Sequence, residues 1–521
     1  MKLGNFVAGA WVEGQGEGDA LVDPVLGDVL AHASSDGIDF AGALRYARDT
    51  GGPALRALTY AERGALLKAV ADTLGEHRDA YYATALANSG NTKADAAVDI
   101  DGAIYTLGYY AGLGAKLGDV RALHGGGFDR LAKDKSFQAV HIAVPMRGVA
   151  VHINAFNFPS WGMWEKVAVT LLSGVPAVVK PATATALLAH DMVRDVVAAG
   201  ILPEGSLSIV CGGARELLDH VTPADIVTFT GSADTANLLR RSPALVRQPV
   251  RFNVEADSLN MSLLGPDAGA DSAEFQLFVK EVAREMTSKA GQKCTAIRRA
   301  LVPAAHIADV SGALEARLGK IVIGNPRNAD VRMGPVVNKT QQASVLDGIE
   351  ALKKEAQVVV GGTPVDPVDA DADAACFAPL TLLRCDSPGS AKAVHEVEVF
   401  GPVCTLMPYA NADEAFDLSA RGGGSLVASV FTGDDAFAAD ATLALAASHG
   451  RVLVIDEQVG AASTGHGTVM PMLVHGGPGR AGGGEELGGV RGLRLYHQRA
   501  AVQGRLDRLE ALTAAAAEVS F

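Results

Sequence analysis

The sequence predicts an α/β protein built on a doubly wound, mainly parallel sheet, and three observations point to that fold class. From Gly148 onward, short apolar runs alternate with longer segments in which apolar residues recur at helical spacing. The runs are apolar throughout, which is typical of strands covered by helices on both faces. The length of 521 residues is too great for one core, so two or three domains are expected.

The part of the chain before Gly148 is expected to contain short strands followed by helices. The first 45 residues carry frequent glycines and the dipeptide Asp23-Pro24, which indicate strands and turns. Apolar residues then recur at helical spacing over 60–75, 77–89 and 94–117. The three glycines at 125–127 are expected to break the chain, and the strand-like segment 136–146 is expected to form an arm.

The alternation after Gly148 locates the strands and helices of the predicted parallel sheet. The predicted strands cover residues 149–153, 175–179, 207–210, 226–229 and 250–254. The predicted helices between them cover residues 160–172, 185–199, 214–221 and 232–241. Because such sheets bind ligands at the carboxyl ends of their strands, the residues that follow these strands are candidates for ligand binding.

A second α/β pattern runs from residue 256 to about residue 456. Its predicted strands cover residues 299–302, 358–360, 380–383, 403–407, 426–431 and 451–454. The glycine-rich segment 476–489 is expected to be a loop, and the alanine-rich tail 499–518 is expected to be helical.

Composition excludes several classes of protein. The net charge of −14 argues against a nucleic-acid partner, because such proteins present a basic face. The five cysteines show no CxxC pair and the start of the chain has no signal-peptide core, so a cytoplasmic location is expected. The longest uncharged apolar run, 167–179, is shorter than the ~20 residues of a membrane-spanning helix.

Metal-binding motifs are also not recognisable in the sequence. The thirteen histidines form no HxH or HxxxH pair, so no metal is implied. The acidic segment 369–373 fails as a calcium loop, because Ala374 and Leu380 stand where glycine and glutamate are required.

Cys294 is the candidate nucleophile of the chain. Apolar residues at helical spacing over 274–290 predict a buried helix, and Gly291 predicts its end, because glycine tolerates the left-handed conformation. Cys294 is therefore expected in a turn, where it can meet a substrate. An isolated cysteine is more often an inert core residue, so the assignment depends on motifs elsewhere in the chain.

Six stretches provide that support. They are NAFNFPSW at 154–161, KPAT at 180–183, FTGS at 229–232, VEAD at 254–257, GQKC at 291–294 and EVFGPV at 398–403. In this order and spacing they resemble the NAD(P)-dependent aldehyde dehydrogenase family, and the resemblance covers essentially the whole chain. It implies a Rossmann-like cofactor domain, an α/β catalytic domain and a β-arm for oligomerisation.

The resemblance implies specific catalytic residues. Cys294 is expected to attack the aldehyde carbonyl, and Glu255 to activate either that thiol or the water that later cleaves the thioester. Because Glu255 ends a predicted strand and is expected to be partly desolvated, its pKa is expected to be raised. Asn157 and the Cys294 backbone N–H are expected to stabilise the oxyanion, with Asn154 a competing asparagine better suited to a structural role. Glu486, in the glycine-rich segment, matches a glutamate sometimes given a proton-relay role.

The resemblance also implies cofactor contacts at the strand ends. Ser232 is expected to begin a helix facing the pyrophosphate, although Ala236 stands where many members have glycine. Lys180 is expected to contact the adenosine ribose, and Glu398 to hold the nicotinamide ribose with Phe400 packed beside it. Phe156 is a further expected cofactor contact.

Position 183 decides the expected cofactor. NAD-specific members carry a glutamate there, whose charge would repel a 2′-phosphate. Thr183 removes this repulsion and can donate a hydrogen bond beside Lys180, so NADP is expected, with NAD as a second cofactor. The alternative is that Thr183 caps the following helix.

The expected domains are a cofactor domain (1–124 and 147–255), a catalytic domain (256–470) and bridging segments (125–146 and 471–521). The bridging segments are expected to join subunits into a homodimer or a dimer of dimers. The sequence segments around Glu255 and Cys294 resemble those of a branch of the family that oxidises CoA-linked semialdehydes in aromatic catabolism. Because the sequence ends at Phe521, a second, hydratase domain is not expected. Alternatives are a CoA-acylating enzyme, an enzyme of free aldehydes, and a catalytically silent protein on the same fold.

Overall fold

The computed structural model describes residues 1–134, 136–213 and 216–520. The strands of this part of the chain, in order, are β1 Lys2–Val7, β2 Ala10–Glu13, β3 Asp19–Val22, β4 Val29–Ala33, β5 Ala122–Arg130, β6 Gln138–Pro145, β7 Ala150–Ile153, β8 Ala177–Lys180, β9 Leu207–Ile209, β10 Ile226–Thr230, β11 Arg251–Glu255, β12 Met261–Leu264, β13 Arg299–Pro303, β14 Gln357–Val360, β15 Thr381–Arg384, β16 Val403–Tyr409, β17 Ser425–Phe431, β18 His449–Ile455, β19 Val474–Gly476, β20 Glu485–Leu487, β21 His497–Gly504 and β22 Ala516–Val519.

The α-helices of the same residues surround these strands. They are α1 Phe40–Tyr46, α2 Gly52–Ala57, α3 Tyr60–Glu76, α4 Arg78–Ser89, α5 Lys93–Leu117, α6 Trp161–Leu172, α7 Ala186–Ala198, α8 Ala233–Arg240, α9 Pro243–Arg247, α10 Ala273–Thr287, α11 Ile307–Leu318, α12 Lys339–Leu352, α13 Ala393–Glu396, α14 Ala412–Ala420, α15 Asp435–Ala446, α16 Glu457–Gly460 and α17 Leu506–Thr513. The predicted α/β fold class is therefore confirmed.

The first sheet has the order β11-β10-β7-β8-β9-β1-β4-β3 among the described residues, with β2 paired to β1. The pairs from β11 to β9 are all parallel, and they correspond to the five strands predicted after Gly148. The chain runs from β7 to β9 in one direction and then returns to β10 on the other side of β7. This reversal places the carboxyl ends of β7 and β10 side by side, where doubly wound sheets bind ligands.

The helix predicted over 214–221 is shorter than expected. Residues 214 and 215 lie outside the described part of the chain, and the remainder forms a 3₁₀ turn, Leu217–His220. Pro223 follows this turn closely, and proline disfavours helical continuation in the residue before it.

The second sheet contains all six strands predicted after residue 256. Within the described residues its order is β14-β15-β16-β13-β12-β17-β18, with only β14 antiparallel to its neighbour. The sequence analysis did not predict β12, which pairs with β13 and β17 near the centre of the sheet. Helix α10 packs on this sheet through Phe275, Phe278 and Val282, and it leads directly to Cys294.

A third sheet joins the two distant segments expected to form an arm. Its order is β21-β6-β5-β22 in the described part of the chain. The glycines at 125–127 do not break the chain, because they lie inside β5, where its register with β6 shifts between Gly125 and Asp129.

The prediction of a helical tail over 499–518 is wrong for most of that segment. Strand β21 pairs with β6 from His497 opposite Pro145 to Gly504 opposite Gln138, and only Leu506–Thr513 is helical. Alanine has the highest helix propensity of the residues, but propensity contributes little free energy per residue, and pairing with a neighbouring strand outweighs that preference.

The main apolar core lies between the first sheet and helices α3 to α7. Its fully buried members include Leu107, Tyr110, Trp164 and Val179. The domain boundaries given above stay a prediction. Among the described residues, no helix is both long enough and apolar enough to cross a membrane.

Candidate active site

Cys294 lies in a turn beyond α10, as predicted. Ser272 begins the helix by accepting a hydrogen bond from the Phe275 N–H at 3.1 Å, and the helix ends at Thr287. The backbone then turns through three left-handed residues, Lys289 and Ala290 with φ of 51° and Gly291 with φ of 67°. A Cβ atom on Gly291 would lie 2.1 Å from the Gly401 carbonyl oxygen, so only glycine fits there.

Two buried side chains hold this turn in place. The Arg298 guanidinium donates to the carbonyls of Gly291 at 2.8 Å and Gly401 at 2.7 Å. The Asn260 amide donates to the carbonyls of Cys294 at 2.7 Å and Ala296 at 3.1 Å. The left-handed conformation costs roughly 1–2 kcal/mol for each non-glycine residue, and these hydrogen bonds offset that cost.

Glu255 lies at the carboxyl end of β11, and its side chain faces Cys294 together with His475. The Glu255 Oε2 atom lies 3.2 Å from His475 Nε2, and the same nitrogen lies 4.0 Å from the Cys294 sulfur. Glu255 is only 3% exposed, and its second oxygen has no hydrogen-bond partner within the described residues. The imidazole therefore contacts both the carboxylate and the thiol.

The expectation of a raised Glu255 pKa is wrong. Burial alone would raise the pKa, but the His475 ring and the Lys166 ammonium stabilise the carboxylate and lower the pKa to about 2. The sequence did not indicate that either partner approaches Glu255, because both lie far from it along the chain. Glu255 is therefore ionised throughout the neutral range.

The Glu255 carboxylate raises the pKa of both the thiol and the imidazole. Burial, together with the Glu255 charge, raises the pKa of the Cys294 thiol well above its usual value. Burial lowers the pKa of His475, but Glu255 outweighs that effect, so the net shift is upward. The resting site thus holds a protonated thiol beside an ionised carboxylate.

Helix α6 adds a second group of charges on the far side of Glu255. The buried Lys166 ammonium lies 3.1 Å from Glu165 Oε1 and 2.9 Å from Glu486 Oε2. Burial raises the pKa of Glu165 to about 7, although Lys166 opposes that shift. Glu486 also accepts a hydrogen bond from the Asn253 amide at 3.3 Å, and it lies opposite His475 in the β19–β20 pair. The structure thus places Glu486 beside the site.

Asn157 lines the same cavity as Cys294, and so does Asn154. The Asn157 amide nitrogen is buried and has no hydrogen-bond acceptor in the part of the chain that the structure describes. Neither polar atom of the Asn154 side chain has a partner there either, so the structural role preferred for Asn154 finds no supporting hydrogen bond. Both amides are available to a ligand in the cavity.

The two residues expected to distinguish the cofactors lie after β8. Lys180 ends that strand, and burial lowers the pKa of its ammonium group. Thr183 opens the 3₁₀ turn Thr183–Thr185, whose cap is Ala182 and has no side-chain hydrogen bond. The alternative role of Thr183 as a helix cap is therefore not found, and Thr185 instead donates to the Phe156 carbonyl at 3.0 Å.

Ser232 begins α8, as predicted, and its hydroxyl accepts a hydrogen bond from the Thr235 N–H. The sequence analysis did not anticipate that Asp257 contacts the same helix end. Its carboxylate accepts a hydrogen bond from the Ala233 N–H at 2.8 Å and lies 3.4 Å from the Arg480 guanidinium. Ala236 is buried against Phe229 and neighbouring apolar residues rather than lying open at the helix end.

The remaining predicted residues are Phe156, which follows β7, and Glu398 and Phe400, which precede β16. The rings of Phe156 and Phe400 pack edge to face with their centres 5.7 Å apart. Burial raises the pKa of Glu398 to about 7, although the Arg298 guanidinium opposes that shift. All these predicted residues lie at strand ends or turns near the two sheets.

Three residues of the site were missed by sequence reasoning as site residues: His475, Glu165 and Lys166. His475 directly precedes the glycine-rich segment 476–489, and it lies 181 residues from Cys294 along the chain. Glu165 and Lys166 lie within an apolar helix, where two adjacent charges are unusual. That pair was the one available signal in the sequence.

Comparison with known proteins agrees with this geometry. A 3,4-dehydroadipyl-CoA semialdehyde dehydrogenase of Aromatoleum evansii is 55% identical over 479 residues, which cover 92% of this chain and 93% of that protein. An alpha-ketoglutaric semialdehyde dehydrogenase of Bacillus subtilis (strain 168) is 29% identical, with coverage of 82% and 85%.

A solved structure shows the same fold. A point mutant of betaine aldehyde dehydrogenase from Staphylococcus aureus, in complex with NAD⁺, superimposes with a TM-score of 0.83 at 25% identity and 96% coverage of each chain. Residues 11–501 also match the aldehyde dehydrogenase family. With its two sheets meeting at the Cys294 turn, the chain belongs to the aldehyde dehydrogenase family.

Proposed function

We propose that the protein oxidises a CoA-linked semialdehyde, 3,4-dehydroadipyl-CoA semialdehyde, to the carboxylic acid with NADP. The observation that carries the chemistry is that Cys294, Glu255 and Asn157 line one cavity although they come from three separate segments. The substrate rests on the Aromatoleum evansii relative, which is similar over nearly the whole of both chains.

Cys294 is the nucleophile in this proposal. Its sulfur adds to the aldehyde carbon to form a thiohemiacetal, and the thiol proton leaves toward the Glu255–His475 pair. The bound nicotinamide supplies the hydride acceptor that allows this adduct to become a thioester. Water then cleaves the thioester, which releases the acid and restores the thiol.

Asn157 supports the tetrahedral adduct. Its amide nitrogen is buried in the cavity with no acceptor in the described part of the chain, so it is free to donate to an oxyanion. The Cys294 N–H is a second donor that makes no hydrogen bond within those residues. Two donors aimed at a developing negative charge typically provide much of the rate enhancement in acyl transfer.

Glu255 acts as the base, and its partners make two routes possible. In one, the imidazole of His475 receives the thiol proton and Glu255 stabilises the resulting cation. In the other, Glu255 orients and deprotonates the water that cleaves the thioester. Glu486 and Lys166 continue the chain of charges away from Glu255, which supports the proton-relay role proposed for Glu486.

The residues after β8 fit a cofactor with a 2′-phosphate. In the described residues, the Lys180 ammonium and the Thr183 hydroxyl have no hydrogen-bonding partner of their own, so both can donate to an anionic oxygen. Ser232, Phe156, Glu398 and Phe400 would hold the rest of the cofactor along the carboxyl ends of the strands. The solved betaine aldehyde dehydrogenase holds NAD⁺, so the preference for NADP is specific to this proposal.

We further propose a cytoplasmic homodimer with the domain arrangement predicted above. Strand β21 forms one edge of the third sheet and is exposed over most of its length, which is the usual form of a pairing edge. A molar mass of one chain in light scattering at working concentration would contradict the dimer.

The central test combines activity with product analysis. Parent enzyme with NADP and the CoA-linked semialdehyde should yield the free acid, whereas a CoA-acylating enzyme would yield a new thioester of added thiol. Cys294→Ala should reduce turnover by many orders of magnitude while cofactor binding remains, because no other group replaces the nucleophile. Cys404→Ala, at a buried cysteine in the second sheet, is the control.

Three outcomes would contradict the proposal. If Cys294→Ala were nearly as active as Cys404→Ala, Cys294 would not be the nucleophile. A kcat/KM for small free aldehydes above that for any CoA-linked semialdehyde would contradict the proposed substrate. The absence of any burst of reduced nicotinamide would indicate a catalytically silent protein.

A further inference from the structure

The residues around the thiol have a second chemical property besides their place in catalysis. One ligand atom from each of Cys294, His475 and Glu255 lies within 4.8 Å of the others, and these atoms are a sulfur, a ring nitrogen and a carboxylate oxygen. These are the three donor types that proteins use to bind zinc. Sequence spacing predicted no metal because the three residues come from separate strands and turns.

The distances are close to those of a tetrahedral zinc site. Bond lengths of about 2.3 Å to sulfur and about 2.0–2.2 Å to nitrogen and oxygen place the donor atoms about 3.4–3.6 Å apart. Here the His475 nitrogen lies 3.2 Å from the Glu255 oxygen and 4.0 Å from the Cys294 sulfur. The Cys294 sulfur and the Glu255 oxygen lie within 4.8 Å of each other, so the sulfur must move closer to both other donors to complete the geometry.

An unpartnered buried atom also points to a ligand. The second oxygen of Glu255 is buried and has no hydrogen-bond partner among residues 1–134, 136–213 and 216–520. A buried carboxylate oxygen normally has such a partner, and a cation bound by both oxygens of the Glu255 carboxylate would supply the missing interaction.

The charges nearby favour a dication at this position. Glu255 lies within 4.8 Å of Glu165 and Glu486, and Lys166 is the one lysine or arginine in the described chain that forms an ion pair with these carboxylates. Lys166 is paired with Glu165 and Glu486. The ion-pair partner of Glu255 is instead His475, whose neutral imidazole can bind a cation together with the carboxylate. Lys293, Arg298 and Arg451 also interact with Cys294, without forming an ion pair with Glu255. Sulfur and imidazole donors select zinc over magnesium or calcium.

We propose that Cys294, His475 and Glu255 form a zinc site that blocks the dehydrogenase. Zinc binding expels the thiol proton and forms a zinc–sulfur bond, which makes the sulfur unavailable to an aldehyde. A water or another small ligand takes the fourth position, in the cavity lined by Asn157 and Gly467. The inhibition rests on the proposed role of Cys294, whereas the binding of zinc does not.

The test uses cobalt(II) as an optical probe of the full-length reduced protein, without cofactor or aldehyde. A thiolate–cobalt charge-transfer band should appear with one cobalt per chain, and zinc should abolish it, because zinc binds such donors more tightly than cobalt. Magnesium should leave the band unchanged. A failure of dehydrogenase activity would not alter this readout, so the two proposals fail separately.

Variants identify the ligands. Cys294→Ser should remove the band, and His475→Gln and Glu255→Gln should each weaken cobalt binding at least tenfold. Cys404→Ala, and His77→Gln at an exposed histidine, should bind cobalt as the parent does. Circular dichroism and thermal melting confirm that each variant is folded.

Inhibition is measured separately. Zinc should lower turnover of the parent with any aldehyde it oxidises, and EDTA should restore it. The absence of a band in the parent would overturn the proposal. Unchanged cobalt affinity in both His475→Gln and Glu255→Gln would also overturn it, because the metal would then bind the thiol alone.

Discussion

The neighbourhood of Cys294 and the neighbourhood of Thr183 differ in how the protein uses its own polar groups. Around Cys294, Glu255 is paired with His475, and Lys166 is paired with two carboxylates. At the end of β8 the arrangement is looser: among the described residues, no hydrogen bond or ion pair holds the Lys180 ammonium or the Thr183 hydroxyl, although Cys211 and Asp19 interact electrostatically with Lys180.

This difference separates two ways of building a site. Charges that must be placed within a few tenths of an ångström of a reacting atom are held by other protein groups before any ligand arrives. Groups that recognise a charged ligand are left without protein partners, so that the ligand provides the interaction. A substitution near Cys294 should therefore change the rate, and one near Thr183 should change which cofactor is used.

Replacing Glu255 by glutamine should give the largest effect of the variants that test this comparison. The expected loss in kcat is about 10²–10⁴-fold, because glutamine cannot accept a proton from thiol or water. If Glu255 acts mainly on the water, mass spectrometry of the quenched enzyme should show acyl-enzyme accumulating after a normal burst. If Glu255 also assists deprotonation of the Cys294 thiol through His475, the burst should be slow as well.

Glu485→Gln is the matched control for this variant, because Glu485 precedes Glu486 in β20 but its side chain is exposed. Equal rates for the parent, Glu255→Gln and Glu485→Gln would show that Glu255 is not the general base.

Replacing Asn157 by alanine should lower kcat by about 10²–10³-fold, since loss of one oxyanion donor has that typical cost. The KM for the aldehyde should change little. Asn154→Ala is the sharpest comparison, because its amide is equally buried in the same cavity. If Asn154→Ala lost more kcat than Asn157→Ala, with both proteins folded, Asn154 instead of Asn157 would be the oxyanion donor.

Replacing Thr183 by glutamate should leave kcat with NAD nearly unchanged and lower the NADP/NAD ratio of kcat/KM at least tenfold. A carboxylate near a 2′-phosphate costs on the order of 1–4 kcal/mol, and about 1.4 kcal/mol is tenfold. Thr183→Gln has the same length without the charge, so it separates repulsion from size. A parent that strongly prefers NAD, or an unchanged ratio in Thr183→Glu, would contradict the cofactor assignment.

Replacing Gly291 by alanine should destabilise the protein by about 2 kcal/mol, as measured by urea unfolding. Gly16→Ala is a close control, because Gly16 has φ of 68° against 67° for Gly291, yet a Cβ there meets nothing within 4 Å. The excess loss at Gly291 measures the contact with the Gly401 carbonyl. Equal losses would mean that the turn can move away from Gly401, and the idea of a rigid cysteine turn would be wrong.

Much of this architecture could be predicted from local patterns. The strands β7 to β11 are apolar throughout because helices cover both faces, and that pattern survives in the sequence without knowledge of the fold. The turn at Cys294 was predictable because Gly291 follows a long amphipathic helix. The alanine-rich tail misled because its preference for helix is small compared with pairing along the whole length of β6.

The sequence by itself determined which residue types are present for chemistry: a cysteine after a helix, a glutamate after a strand, and an uncharged threonine beyond Lys180. Only the tertiary structure decided their electrostatic state. His475 and Lys166 approach Glu255 from β19 and α6, and together they change an expected rise in its pKa into a fall to about 2. The reason is physical: a pKa depends on charges within a few ångströms, and the residues that supply those charges lie far apart along the chain.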